Sequence, residues 1–164
     1  MKTLTHLVLA TAAAAALAPA ALAGTQTSKS GGFAIDLPDA WKVQGNDQVI
    51  GVDDPSDQMG MLLISVDKSD AKQVIAGVDK LLAGTVTDIH WGKKKKSFAL
   101  NGMKGVSIDG SAKVKGQPVL TTLIILGPTG TGKGVIAFAG AQPAWLQAHG
   151  AEMLSAIKTL RPTK

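Results

Sequence analysis

From Phe98 to Lys115 apolar and polar residues alternate on either side of Asn101-Gly102, and this stretch constrains the fold more than any other. Asn and Gly both tolerate positive φ, so the dipeptide closes a two-residue hairpin. On the return strand Val106, Ile108, Ala112 and Val114 share one face, while Ser107, Asp109, Ser111, Lys113 and Lys115 share the other. The alternation passes straight through Asp109-Gly110, which predicts one long strand containing a Gly and not a second turn. Lys115-Gly116-Gln117 makes the next turn, and Val119 to Leu126 and Gly134 to Gly140 supply two more strands joined by Gly127 to Lys133. Four consecutive strands with short links make an antiparallel meander.

The flanks add further elements. Phe33, Ile35 and Leu37 alternate with polar or small residues and end at Pro38-Asp39-Ala40, with Trp41 expected in the core. Gln48 to Val52 and Met59 to Val66 read as strands joined by the turn-rich Asp53-Asp54-Pro55-Ser56-Asp57. Met61 to Val66 is apolar on both faces, so it belongs in the middle of a sheet covered on both sides. Asp70 with Gln73 forms a capping box before Val74, Ile75, Val78, Leu81 and Leu82, and Gly84 closes that helix. Val86 to Trp91 is expected as a further short strand. Pro143 opens a C-terminal helix carrying Leu146, Met153, Leu154, Ile157 and Leu160 toward the core, and Pro162 stops it. The fold class is α+β: a central antiparallel sheet flanked by a mid-chain helix and a C-terminal helix.

The N-terminus reads as an export signal. Met1-Lys2 is positive, Leu7 to Ala23 is almost wholly apolar, and Ala21-Leu22-Ala23 offers the small residues that signal peptidase accepts. A membrane anchor fits less well, because the run is short, Ala-rich and broken by Pro19. Cleavage is expected after Ala23, leaving a flexible leader over 24–32, one domain over 33–164 and no transmembrane segment in the mature chain. The compartment is then periplasmic or extracellular. The sequence has no Cys, which excludes disulfides, zinc-thiolate sites, a cysteine nucleophile and lipid attachment through an N-terminal Cys.

Several motifs suggest chemistry, but their contexts do not support it. Gly127-Pro128-Thr129-Gly130-Thr131-Gly132-Lys133 matches the start of a phosphate-binding P-loop. The next residue is Gly134 in place of the Ser or Thr that would hold Mg²⁺, and a strand pattern follows where a helix is needed. Gly105-Val106-Ser107-Ile108-Asp109 approaches a nucleophile elbow, but the closing Gly is Asp109 and the Ser lies within a strand. Asp53, Asp54 and Asp57 lack the spacing of a calcium loop. His90 and His149 show no zinc-ligand spacing. No catalytic residue, metal, cofactor, nucleotide or nucleic acid is expected.

Charge is uneven. Residues 24–92 hold five Lys and ten Asp, net −5; residues 93–164 hold eleven Lys or Arg against Asp109 and Glu152, net +9. The halves either interleave in space or present a basic side to an anionic partner. Lys93-Lys94-Lys95-Lys96 is the sharpest feature, with Trp91 and Phe98 flanking it. Four like charges in a row must be hydrated, so the run is either a solvated loop or, with Trp91, a surface for an anionic partner.

Gly32-Phe33-Ala34-Ile35-Asp36-Leu37-Pro38-Asp39-Ala40-Trp41 resembles the "F-x-I-x-x-P-x-x-W" opening of the PsbP-like superfamily, which takes in PsbP, Mog and DcrB-like envelope proteins. The order of elements through to Ile157-Lys158-Thr159-Leu160-Arg161-Pro162 is similar as well. The resemblance implies a central antiparallel sheet with flanking helices. It also implies an exported, non-enzymatic binding or accessory protein of the cell envelope that acts through its surface on an envelope protein or an anionic surface. The alternative is a carrier of a small hydrophobic ligand or lipid, with a pocket between sheet and helix.

Overall fold

The computed structural model describes residues 21–22, 24–67 and 71–164. The stretch before Ala21 that reads as an export signal, Ala23, Asp70 and the side chains of Val74, Ile75 and Leu81 lie outside the described residues. The main sheet has eight strands: β1 (Ala21–Leu22), β4 (Lys42–Gly45), β5 (Val49–Asp53), β6 (Met59–Val66), β7 (Val86–Leu100), β8 (Met103–Val114), β9 (Gln117–Gly127) and β10 (Gly134–Ala141). Their spatial order is β1-β4-β5-β6-β10-β9-β8-β7, antiparallel throughout. A small second sheet joins β2 (Thr25–Ser28), β3 (Phe33–Asp36) and β11 (Arg161–Pro162).

The expected meander is β7 to β10, and its last strand lies beside β6. The apolar-on-both-faces reading of Met61 to Val66 is explained by that central place. Met59, Met61 and Leu63 point into one core, with Val135, Ala137, Leu126, Trp41 and the helix α2 (Pro143–Lys158). Leu62 points into a second core with Ile136, Phe138, Leu123 and Val78 and Leu82 of the helix α1 (Ala71–Leu82). Burial of two apolar faces stabilises the sheet in proportion to area, at about 25 cal/mol per Å².

Three sequence expectations change. Residues 24–32, expected as a flexible leader, contain β2, which pairs with β3 from Thr25 against Asp36 to Ser28 against Phe33. The turn after it is held by Asp47, whose carboxylate accepts from the Lys29 and Ser30 amides at 2.5 and 2.7 Å. A four-residue polar strand has no hydrophobic alternation, so only its partner reveals it. Leu154, expected inward, is half exposed at 50%. The inward stripe of α2 is set by Trp145, Met153, Ala156 and Ile157, and the helical rotation carries Leu154 off that stripe. The third change is in β7. The expected short strand Val86–Trp91 continues through the lysine run to Leu100, with two shifts of register against β8, so the run is not a loop.

The C-terminus locks the layers together. The Arg161 guanidinium makes a two-pronged contact with Asp36, 2.8 and 3.0 Å. Asn101, at φ 48° beside Gly102 at φ 86°, forms the expected tight turn. Its Nδ2 also donates to the Lys158 and Leu160 carbonyls at 2.9 and 2.8 Å, which clasps the hairpin tip to the end of α2.

Candidate functional site: the basic edge strand

β7 is the last strand of the large sheet, and among the described residues no element other than β8 packs extensively on it. Its outer edge is therefore a row of backbone groups available to a further strand. Two irregularities shape it. From Thr87 to His90 the strand advances three residues while β8 advances two, from Lys113 to Ser111; from Trp91 to Lys95 it advances four while β8 again advances two, from Gly110 to Ile108. Extra residues of this kind bend and twist a strand. From Lys95 to Leu100 the register with β8 is continuous.

Lys93, Lys94, Lys95 and Lys96 are all exposed. Lys96 meets Asp109 on β8 at 2.8 Å, and Thr122 on β9 donates to the same carboxylate at 3.0 Å. The Lys96 ammonium holds the Asp109 carboxyl below its usual range. Lys113 on β8 is paired with Asp88 at 2.8 Å. Lys93, Lys94, Lys95 and Lys104 have no ion-pair partner among the described residues. Residues 86–127, the β7–β9 arm, carry seven Lys and two Asp, net +5. The charge asymmetry of the sequence is thus concentrated at one edge of the sheet.

Trp91 belongs to a different environment from the lysines. It is half-buried, its ring stands edge-on to Phe138 with centroids 6.0 Å apart, and its Nε1 donates to Asp79 of α1 at 3.2 Å. Gly110 makes room for it: a Cβ there would lie 2.9 Å from Trp91 Cε3 and 2.6 Å from the His90 carbonyl oxygen. Trp91 is therefore packed between sheet and helix, while the four lysines are exposed. Beside Lys95–Leu100 an open depression of about 640 Å³ is lined by Ser97, Phe98, Ala99, Lys104, Val106 and Ile125, among others. Its walls are strand residues, with no helix among them.

The other motifs resolve into structure. In the Gly127–Lys133 loop three amides are engaged with the protein's own carbonyls: Thr129 with Lys133, Gly130 with Gly32 and Gly132 with Thr129. An amide that already has a carbonyl partner is not aimed at a phosphate. Lys133 meets Asp67 at 3.3 Å. Ser107 sits within β8 opposite Lys96, and His90 stands opposite Ser111. Among the described residues no cluster of His, Asp and Glu could hold a metal ion. No helix among them is long and apolar enough to cross a membrane.

Asp54 is a buried structural hub that sequence reasoning could not locate. Its carboxylate accepts from the amides of Ser56, Gln58 and Met59 at 3.0, 2.7 and 2.8 Å, from the Ser56 hydroxyl, and from Trp145 Nε1 at 2.9 Å. Burial pushes its pKa up, but the Ser56 hydroxyl and the three amides outweigh that and hold it below the usual carboxylate range. Neighbouring Asp53 is buried with one long hydrogen bond, from Gln44 Nε2 at 3.3 Å, and burial with the nearby Asp57 charge raises its pKa to about 7.

No protein-family model matches the sequence, and no curated protein sequence matches it significantly. Solved structures do match. The cyanobacterial PsbP (CyanoP) of Synechocystis sp. PCC 6803 superposes with TM-score 0.59 at 9% identity, over 92% of this chain and 97% of that one. LpqN of Mycobacterium tuberculosis, described as involved in cell envelope biogenesis, gives 0.54 at 14% identity, over 80% and 83%. The Saccharomyces cerevisiae Ran-binding protein Mog1p gives 0.51 at 10%, over 84% and 95%. The fold is PsbP/Mog-like. At these identities the likeness is one of architecture.

Proposed function

We propose that this protein is an exported, non-enzymatic accessory protein of the cell envelope that binds an anionic partner through the β7 edge. The observation that carries the reading is the exposed row Lys93–Lys95, without ion-pair partners among the described residues, on an edge strand that among the described residues pairs with β8 and with no other strand of the sheet. Export rests on the Met1–Ala23 pattern. The envelope setting is supported by likeness to LpqN, and a binding role by likeness to Mog1p. The amides that could have cradled a phosphate are occupied, and Ser107 stands in a strand opposite a lysine. Exposed Lys also protects a sheet edge from self-association, so the same residues serve solubility and selection of partner.

The test is retention on immobilised poly-glutamate and cosedimentation with anionic vesicles, at low and at high salt, of the protein and of a variant with Lys93 to Lys96 all changed to Gln. Binding to either surface that fades with salt and is lost in the variant supports the reading, since exposed charges are screened as the Debye length shortens. Equal retention of both proteins, or none at low salt, overturns it.

A further inference from the structure

The β7 edge offers backbone groups and charge in a pattern that fits one class of partner. Resting on the basic-edge reading above, we infer that β7 takes up an extended acidic segment of a partner protein as an added strand. Three features of the edge lead there.

The first is periodicity. Lys95 stands opposite Ile108, whose side chain is buried, and Lys96 stands opposite Ser107 on the other face. Lys95 and Lys96 are therefore thrown to opposite faces of the sheet, while Lys93 and Lys94 lie in the irregular stretch between Trp91 and Lys95. A strand laid along the edge presents its own side chains alternately to those same two faces, about 5 Å from their neighbours, so acidic residues on both sides of it find lysine partners. A planar bilayer has no such two-sided pattern, and Trp91, the natural interfacial anchor, is turned inward onto Phe138 and Asp79.

The second is the length of regular edge. Lys95 to Leu100 keeps one register with β8, whereas the stretch before it is interrupted. This length of straight edge suits a short added strand, in which main-chain hydrogen bonds provide affinity and alternate side chains provide selectivity. The depression beside Ser97, Ala99 and Val106 lies on one face of this same stretch, so an apolar side chain of the incoming strand can rest there.

The third is exclusion. A second copy of this chain pairing edge to edge would bring a second Lys93–Lys96 run onto the same edge, and crowding of like charges across paired strands is unfavourable. Neutral strands gain no compensation for the lysines they crowd. An acidic strand alone gains on both counts.

The experiment uses the purified protein and a fluorescein-labelled octapeptide, Glu-Glu-Glu-Val-Glu-Val-Glu-Glu, which carries Glu on both faces of an extended strand and Val on one, in three forms: unmodified, N-methylated on the odd residues, and N-methylated on the even residues. In a strand added to an edge, only alternate amides face the receptor. The unmodified peptide should bind, one methylated form should lose at least tenfold in affinity, and the other should stay within about threefold. Changing Lys93 to Lys96 to Gln should weaken the unmodified peptide at least tenfold. Backbone amides from Lys95 to Leu100 should gain protection from hydrogen exchange. If both methylated forms bind like the parent, the interaction is charge alone: strand addition is overturned while the basic-edge reading stands. Binding to anionic vesicles with none to the peptides likewise overturns strand addition and assigns the edge to membrane. Binding to neither, at low salt, overturns both.

Discussion

Asp53 makes the stability of this protein depend on pH in a direction opposite to most surface carboxylates. It is 7% exposed at the end of β5, directly across from Lys42 on β4. Lys42 is committed to Asp57 at 3.4 Å, and among the described residues the only hydrogen bond to the Asp53 carboxyl is the long one from Gln44. Burial is the main cause of its raised pKa and the Asp57 charge the next, Lys42 opposing and Asp54 adding a little, from 3.8 to about 7. Because the folded carboxyl holds its proton more tightly than the unfolded chain does, the folded state binds the extra proton between those two values. Stability therefore falls as pH rises through that window. A rise of that size corresponds to at most about 4 kcal/mol, and relaxation at a site still touched by solvent brings the expectation to about 2 to 4 kcal/mol. Asp53→Asn keeps the shape and an oxygen for Gln44 but cannot ionise. Urea unfolding of both proteins from about pH 4 to 8 should show near-equal stability at the acid end. The wild type should then weaken toward the alkaline end while the variant does not. At still lower pH both should fail together, because Asp54 and the other carboxylates with lowered pKa lose their ionised form there. A wild-type stability that is flat across neutral pH, or a variant less stable than wild type at the alkaline end, would refute the reasoning.

Other substitutions test the supporting structure. Asp54→Asn replaces one acceptor oxygen by a donor facing the Trp145 indole or the Met59 and Gln58 amides, and should cost about 2 to 4 kcal/mol in denaturant titration; a loss under about 0.5 kcal/mol would remove Asp54 from its place as a hub. Gly110→Ala forces its Cβ against Trp91 and the His90 carbonyl, and should cost about 1 to 3 kcal/mol with a red shift of Trp emission as the ring leaves Phe138; unchanged emission would contradict the packing of Trp91. Lys133→Ala removes one exposed pair with Asp67 and should change stability by less than about 0.5 kcal/mol. Calorimetry should find no Mg-dependent ATP binding to the wild type, and such binding, lost in Lys133→Ala, would restore the P-loop reading.

The meander, the tight turn at Asn101-Gly102, both helices and the central place of Met61–Val66 were legible in the residues alone. Each depends on preferences that act within a few positions: side-chain alternation, positive φ at Asn and Gly, Pro at a helix start. The opening that resembles PsbP-like proteins led to the right architecture for the same reason, with Trp41 buried as expected. What stayed hidden was set by residues far apart in the chain. β2 is a strand because β3 lies beside it, and Leu154 faces water because Trp145 and Ile157 fix the rotation of α2. Asp54 is buried because Trp145, ninety-one positions later, reaches it. Four lysines in a row carry no strand periodicity, and only the pairing of β7 with β8, which resumes at Lys95 and Lys96, makes the run part of the sheet and places it on the sheet's edge. Trp91 shares their neighbourhood in sequence, but Phe138 and Asp79 draw it inward. Local backbone preference is written residue by residue, whereas burial and exposure belong to pairs of surfaces, and the second surface arrives only with the tertiary fold.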